Sequence, residues 1–193
     1  MRLVRWMDAR LYPNHGNDWD SQVLRDKIVS LLGPDSKLLD FGAGRGLIAS
    51  LRFRGTAAFV AGVDVDKAVL ENSHLDDARV LEPPDFRIPY PDDHFDVVFA
   101  SNVLEHLEYP ARAFAEVRRV LRPGGVFIPK TPSRWHYVAV IASLTPHWFH
   151  VFINRLRGQE TRDTFPTFYR CNTPHSARHM ARAAGFEVVG VEG

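Results

Sequence analysis

Residues 38–46, with the sequence LLDFGAGRG, constrain the fold of this chain more than any other segment. An apolar run and an acid lead into Gly42, Gly44 and Gly46, a pattern typical of a buried strand that turns into a helix. Glycines allow positive φ and let a ligand approach the backbone closely. The expected helix would present its first N–H groups and a partial positive charge to that ligand. The segment therefore predicts a ligand-binding turn, with a tight turn that binds nothing as the alternative.

A second apolar run, residues 58–63, ends in Asp64, eighteen residues after Gly46. An acid at the end of the second strand of a βαβ unit is well placed to accept hydrogen bonds from ribose hydroxyls. Together with the glycine turn, this acid predicts a site for a nucleoside-containing cofactor.

The glycine spacing argues against a dinucleotide. The dinucleotide fingerprint G-x-G-x-x-G needs its third glycine at position 47, where this chain has Leu47. Asp40 lies two residues before the first glycine, and its carboxylate would repel a nearby pyrophosphate. A ligand with an amino group would instead gain a charge-assisted partner there. These two residues disfavour a nicotinamide-dependent oxidoreductase.

The glycine turn with its two acids resembles the S-adenosylmethionine (SAM) site of the class I methyltransferases. Three later segments are similar to motifs of the same family and follow in family order: residues 88–98 (IPYPDDHFDVV), 102–107 (NVLEHL) and 120–127 (VLRPGGVF). The resemblance runs from Leu38 to about Pro132. It is closest to the broad small-molecule subgroup, which includes enzymes of quinone biosynthesis.

This resemblance implies which residues contact the cofactor. The carried-over SAM contacts are Asp40, Phe41, Gly42, Ala43, Gly44, Gly46, Asp64, Val65, Ser101 and Asn102. The family also has an acid beside the adenine, in a short "DA" element after the third strand. The corresponding stretch here, residues 82–87, departs from that pattern, and we take Asp85 as the matching acid.

Alternating strands and helices predict an α/β fold with a doubly wound, mostly parallel sheet and helices on both faces. Periodicity and punctuation predict the following elements: helices over 20–32, 46–53, 110–122 and 174–184, and strands over 37–41, 58–63, 78–81, 95–100, 126–129 and 186–191. The resembled family adds a seventh, antiparallel strand, for which this sequence has no candidate. We expect either an open sheet edge or a truncated form of a longer protein, and favour truncation.

At 193 residues the chain is expected to form one methyltransferase domain, 1–193. Its expected parts are an N-terminal loop and helix (1–34), a SAM-binding core (35–129), an inserted substrate lid (130–172) and a final helix and strand (173–193). The lid sequence is rich in aromatic residues and arginines, which suits an aromatic or anionic small-molecule acceptor. Packing of those rings against the sheet is the simpler alternative.

Two histidines are candidate general bases, His106 after the fourth strand and His136 after the fifth. His136, His147 and His150 also invite comparison with a metal site. However, no cysteine or acid pair nearby completes a ligand set, so we expect no metal.

Composition bears on the location of the protein and on its substrate class. No stretch approaches 18 uninterrupted apolar residues, so no membrane-spanning helix is expected. The single cysteine, Cys171, fits a reducing cytoplasm. Residues 1–110 carry 12 basic and 18 acidic side chains, whereas 111–193 carry 12 and 5. Nucleic acid is disfavoured as a substrate, because residues 100–103 (ASNV) lack the Pro-Pro-Tyr-type element of amino-methylating enzymes.

Taken together, the sequence predicts a SAM-dependent methyltransferase that acts on a small organic acceptor. The alternative is a catalytically silent module that binds SAM or another nucleoside and regulates a partner.

Overall fold

A computed structural model describes residues 18–82, 86–132 and 166–191 of the chain. Its centre is a parallel five-stranded sheet made of β1 (Lys37–Phe41), β2 (Phe59–Asp64), β3 (Asp77–Val80), β4 (Phe95–Ser101) and β5 (Leu121–Lys130). The strand order is β3-β2-β1-β4-β5, and all four pairings are parallel. The winding direction reverses between β1 and β4, so the predicted doubly wound arrangement is confirmed.

In the described part of the chain, three α-helices pack around this sheet: α1 (Trp19–Leu31), α2 (Pro110–Val120) and α3 (Pro174–Ala183). Short 3₁₀ turns cover Ala49–Leu51, Lys67–Glu71 and Leu104–His106. These helix bounds match the expected ones within a few residues, apart from the segment after β1. Strand β5 is longer than expected, because its pairing with β4 already begins at Leu121.

Alternating residues of each strand point to opposite faces of the sheet, so one strand serves two cores. On one face, Leu38 of β1 packs with Leu24 and Ile28 of α1. On the other face, Leu39 joins Val117 and Val120 of α2. The apolar residues of α1 are only partly buried, because Val23 and Leu31 are exposed.

The helix predicted over 46–53 is wrong. This segment contains only the single 3₁₀ turn at Ala49–Leu51, with extended backbone at Ile48 and Arg52 on either side. The guanidinium of Arg25 on α1 donates hydrogen bonds to the carbonyls of Ser50 and Arg52, both at 2.9 Å. Tertiary contacts therefore satisfy backbone groups that a helix would have paired internally, and no helix N-terminus lies behind the glycine turn.

The last strand predicted over 186–191 is also wrong, since these residues form no strand. Phe186 packs its ring against Phe114 and Phe127, but Val189 is 98% exposed. The alternation of apolar residues here is not matched by a paired sheet edge, which a strand needs. Within the described ranges, no helix has the length and apolar content to cross a membrane.

Helix α3 begins with a reciprocal capping box at Thr173 and Ser176. The N–H of Ser176 donates to Oγ1 of Thr173, and the N–H of Thr173 donates to Oγ of Ser176, both at 3.1 Å. Two of the N–H groups at the helix start are thereby satisfied. The cap fixes the direction in which the preceding residues approach the sheet.

We predict that Thr173→Ala lowers the free energy of unfolding by about 1 kcal/mol, because it removes this cap. Urea denaturation measures the change. Thr56→Ala is the matched control, since Thr56 is exposed and lies in a turn, and it should shift stability far less. Equal effects of the two substitutions would contradict the assigned cap.

Candidate cofactor site

The glycine turn follows β1 directly and is held against β2 by its backbone. The N–H groups of Gly42 and Ala43 both donate to the carbonyl of Val63, at 2.8 and 3.1 Å. Gly42 has φ +87°, and a Cβ placed there would overlap the side chain of Val103, which follows β4. A glycine is thus required at position 42 both by backbone conformation and by close contact.

Asp64, at the end of β2, closes the turn with both carboxylate oxygens. Its Oδ2 accepts from the N–H of Gly44 and its Oδ1 from the N–H of Asp66, each at 2.9 Å. Burial raises the pKa of Asp64 above its ordinary value, although these hydrogen bonds oppose the rise. The structure therefore brings together the glycine turn and the second acid, as the sequence predicts.

Asp40 is a half-buried acid beneath this turn. Among the described residues its carboxylate has no hydrogen-bond or ion-pair partner. Burial raises the pKa of Asp40 well above its ordinary value, and the nearby carboxylate of Asp64 raises it further. A cation bound beside Asp40 would lower that electrostatic cost. The ammonium group of an amino-acid ligand can supply such a cation.

Sequence reasoning missed Asn72, which supports the turn from below. Its buried side chain donates from Nδ2 to the carbonyls of Gly44 and Ala43, at 3.2 and 3.4 Å, and accepts at Oδ1 from the N–H of His74. A Cβ on Gly46 would lie 2.5 Å from that Oδ1. The only sequence signal was a polar residue at the end of the apolar-periodic stretch 67–72.

The end of β4 completes the site. Ser101 is the last residue of β4 and pairs with Lys130 of β5. Its Oγ is buried and has no hydrogen-bond partner in the described ranges. Asn102 adopts φ +57°, a left-handed conformation that asparagine tolerates, and its N–H donates to the carbonyl of Lys130. Because the carboxyl ends of parallel strands share one edge, these residues lie at the switch point between β1 and β4.

The remaining residues predicted to contact the cofactor differ in their solvent exposure. Phe41 is buried, so its side chain belongs to the core, while Ala43 lies under the turn. Val65 follows Asp64 and is 46% exposed, which leaves apolar surface beside the expected ribose position. Asp85 lies outside the described residues.

His106 lies on the 3₁₀ turn Leu104–His106, beyond the end of β4. Its Nδ1 is 2.9 Å from the carbonyl oxygen of Pro166. Since a carbonyl only accepts, Nδ1 carries the hydrogen, and Nε2 is the acceptor nitrogen of the neutral ring. The other predicted base, His136, lies outside the described residues, as do His147, His150 and most of the predicted lid.

A shallow cavity of about 370 Å³ lies beside the start of α2. Its walls include Tyr109, Met180 and the arginines Arg112 and Arg170. Arg170 also donates to the carbonyl of Glu108 at 2.6 Å. This hydrogen bond joins the segment before α3 to the segment between β4 and α2. The cavity is separate from the glycine turn, and the guanidiniums of Arg112 and Arg170 lie over the ring of Tyr109, at 5.2 and 6.0 Å from its centroid.

Neither a metal site nor a reactive thiol emerges from the described ranges. They contain no group of three or more His, Cys, Asp or Glu residues that could hold a metal ion. Cys171 is fully buried, and burial raises the pKa of its thiol to about 11. The thiolate that a nucleophile needs is therefore scarce at neutral pH.

The hydrogen-bonding groups at this site fit an adenosyl amino acid such as SAM. Asp40 offers a carboxylate for an ammonium group, and Asp64 offers oxygens for a ribose diol. Gly44 leaves open space, because a Cβ there would meet nothing closer than Oδ2 of Asp64, at 4.0 Å. The unpaired Oγ of Ser101 provides a further hydrogen-bonding group at the same edge.

Comparison with known proteins agrees with this reading. A family model described as a methyltransferase domain matches residues 39–128. Those residues include the glycine turn, Asp64 and the whole of β4.

Two curated relatives illustrate the range of similarity. A ubiquinone biosynthesis O-methyltransferase of Thiobacillus denitrificans is 29% identical, over 98% of this chain and 81% of its own length. The sterol 24-C-methyltransferase ERG6B of Gibberella zeae is 33% identical over 58% of this chain, but the match spans only 33% of that protein. The chain thus spans about a third of the sterol relative's length.

Among solved structures, phosphoethanolamine N-methyltransferase 2 of Haemonchus contortus, in complex with SAM, superposes with a TM-score of 0.59. The match covers 87% of this chain and 37% of that one, at 16% sequence identity. This likeness concerns the fold.

We predict that Gly46→Ala lowers the free energy of unfolding by about 2–3 kcal/mol. The substitution strains the left-handed backbone at φ +67° and displaces Asn72 from the turn. Gly55→Ala is the matched control, because Gly55 has φ +80° but no neighbour within 4 Å of a Cβ. It should cost only about 1–2 kcal/mol in the same urea denaturation. Equal losses would mean that Asn72 does not hold the turn.

We predict that Asp40→Asn stabilises the ligand-free protein at pH 7. The folded-state pKa of Asp40 is raised, so ionisation of this carboxyl costs stability as pH rises above 3.8. The gain should therefore shrink as pH falls through 3.8, because well below that pH the acid is protonated in both states. Urea denaturation across this pH range checks the trend, with the exposed Asp35→Asn as control. A gain that did not depend on pH would refute the electrostatic cause.

Proposed function

Since the chain belongs to the class I, SAM-dependent methyltransferases, we propose that it transfers the methyl group of SAM to a small organic acceptor. The observation that carries the proposal is the pair of half-buried carboxylates, Asp40 and Asp64, beside an open glycine turn. Burial raises the pKa of both carboxyls, and the carboxylate of Asp64 raises the pKa of Asp40 further. A cofactor with an ammonium group, a sulfonium and a ribose diol matches that site in charge and in hydrogen bonding.

The chemistry of the reaction lies in the cofactor, whose sulfonium supplies a methyl group already activated for transfer. The protein has to hold its two reactants in line and keep water away. Asp40 orients the amino-acid end, and Asp64 orients the ribose while it also holds the N–H of Gly44. Such positioning can remove roughly 7–11 kcal/mol of the barrier in favourable cases.

His106 is our proposed general base for an acceptor that must lose a proton. The carbonyl of Pro166 holds its Nδ1–H, which fixes the ring tautomer with Nε2 as the basic nitrogen. A positioned base contributes about 10²–10⁴-fold to such a reaction. His136 stays a second candidate, and Asp85 our proposed partner for the adenine.

We propose a small acceptor because two proteins similar to this chain are named for small-molecule substrates. The two curated relatives are named for ubiquinone biosynthesis and for a sterol, both organic small molecules. Residues 130–172 are our proposed substrate lid, and the arginines in the sequence of that segment suit an acceptor with an anionic group. A cytoplasmic location is proposed from the single, buried cysteine.

The test is methyl transfer itself. The purified chain is incubated with methyl-labelled SAM and a small-molecule fraction of a cell extract, and label is followed into new compounds by chromatography and mass spectrometry. We expect at least one labelled product that depends on the protein. Binding of SAM by calorimetry without any transfer would instead indicate a silent cofactor-binding module.

We predict that Asp64→Ala weakens binding of SAM and of S-adenosylhomocysteine about tenfold or more. A charge-assisted hydrogen bond contributes about 1.5–3 kcal/mol, and 1.4 kcal/mol corresponds to a factor of ten. Isothermal titration calorimetry measures both affinities. Asp35→Ala removes an exposed carboxylate and serves as the control. An affinity for either ligand that matches the unmodified protein would remove Asp64 from the site.

A further inference from the structure

A buried polar cluster lies just beyond the carboxyl ends of β4 and β5. The hydroxyl of Thr131, the residue after β5, donates to Oε2 of Glu105 at 2.8 Å. Asn172 donates from Nδ2 to Oγ1 of Thr131 at 2.5 Å and to the carbonyl of Pro132 at 3.3 Å. Glu105 and Asn172 are 5% and 3% exposed, so this chain of hydrogen bonds is shielded from solvent.

The orientation of the Asn172 amide follows from counting hydrogens. A threonine hydroxyl has one hydrogen, and here the Glu105 carboxylate accepts it. Oγ1 of Thr131 can then only accept from its other neighbour, so the atom of Asn172 that faces it must be the NH₂ nitrogen. The amide cannot flip without breaking both of its hydrogen bonds.

Fixing the amide this way leaves Oδ1 of Asn172 buried and without a hydrogen-bond partner among the residues that the structure describes. Buried carbonyl oxygens in native proteins are nearly always paired, so an unpaired one calls for a specific explanation. The oxygen is an acceptor, and it is polarised by a chain of hydrogen bonds that ends at a carboxylate. What is missing is a donor.

The cluster adjoins the proposed cofactor site. Val103, two residues before Glu105, is the side chain that a Cβ on Gly42 would overlap. Ser101 pairs with Lys130, the residue before Thr131. Residues 166–172 are also tied to this place, because the N–H groups of Phe168 and Tyr169 both donate to the carbonyl of Glu105, at 2.7 and 3.2 Å.

We propose that Oδ1 of Asn172 accepts a hydrogen bond from the reacting group of the methyl acceptor when the acceptor binds, and that this group is a hydroxyl or an amine rather than a carbon. A hydroxyl has one hydrogen, so it makes this hydrogen bond in the bound state and releases the proton to the general base only as the methyl group is transferred. Asn172 is then a substrate-binding residue, while Thr131 and Glu105 are positioning residues that hold its amide. A carbon nucleophile would leave Oδ1 unpaired in the bound state and lose affinity accordingly. This inference rests on the proposed function, since it assigns the chemical class of that reaction's acceptor.

The test uses phenol and anisole as probes, because they have similar shapes but only phenol has an O–H to donate. The full chain is first saturated with S-adenosylhomocysteine, whose binding is measured by calorimetry. Each probe is then titrated at millimolar concentration, and the side-chain NH₂ signal of Asn172 is followed by NMR. That signal is assigned by its loss in Asn172→Asp.

We expect phenol to bind with a dissociation constant about tenfold lower than that of anisole, and only phenol to shift the Asn172 signal. Asn172→Leu should abolish the preference. Thr131→Val should reduce it by loosening the amide, whereas the exposed control Thr56→Val should leave it unchanged.

The inference is overturned if the unmodified protein binds the two probes equally, prefers anisole, or binds neither. It is also overturned if the preference survives in Asn172→Leu, or is unaffected by Thr131→Val. Should Asn172→Leu fail to fold, the probe preference and the NMR shift in the unmodified protein still decide the matter. Failure to bind S-adenosylhomocysteine would instead refute the proposed function, so the two outcomes are distinguishable.

Discussion

The carboxylate of Asp64 is the contact on which the site depends. One oxygen holds the N–H of Gly44 and the other holds the N–H of Asp66, so a single side chain joins the glycine turn to the end of β2. Burial strengthens these hydrogen bonds and also raises the pKa of Asp64. The pKa of the nearby Asp40 is raised further. Two acids held close together in a poorly solvated place cost stability. A positively charged ligand bound beside the two carboxylates would offset that cost. The arrangement of the acids therefore favours a cofactor that carries positive charge.

Hydrogen bonding also organises the opposite side of the sheet's carboxyl edge. Residues from the β4 loop, the end of β5 and the start of α3 meet around Glu105, Thr131 and Asn172. The capping box of α3 begins at the next residue, Thr173, so the helix and the polar cluster support each other. The cofactor turn and this cluster are connected through the contact between Gly42 and Val103. Substrate chemistry and cofactor binding can therefore be tuned by separate residues on one rigid sheet.

Patterns that depend on near neighbours were predicted well. The continuous apolar run of β4, the alternation of strands and helices, and the start of α3 at Thr173–Pro174 are all confirmed by the structure. Asp64 and the glycines do meet as their spacing indicates. Failures arose where distant residues decide the outcome. Arg25 captures carbonyls of the segment after the turn, and no partner strand exists for 186–191 in the described part of the chain. Local periodicity carries no information about either.

Sequence alone determined the architecture and the kind of ligand, because glycine spacing, strand hydrophobicity and two acids are local and act through backbone conformation and charge. Only the tertiary structure decided how that site is supported. The support of the turn by Asn72 involves residues far apart in the chain. The same holds for the carboxylate of Asp40 and for Oδ1 of Asn172, which have no hydrogen-bond partner in the part of the chain that the structure describes. Whether a buried polar atom has a partner depends on every element packed around it, and a one-dimensional pattern cannot count those partners.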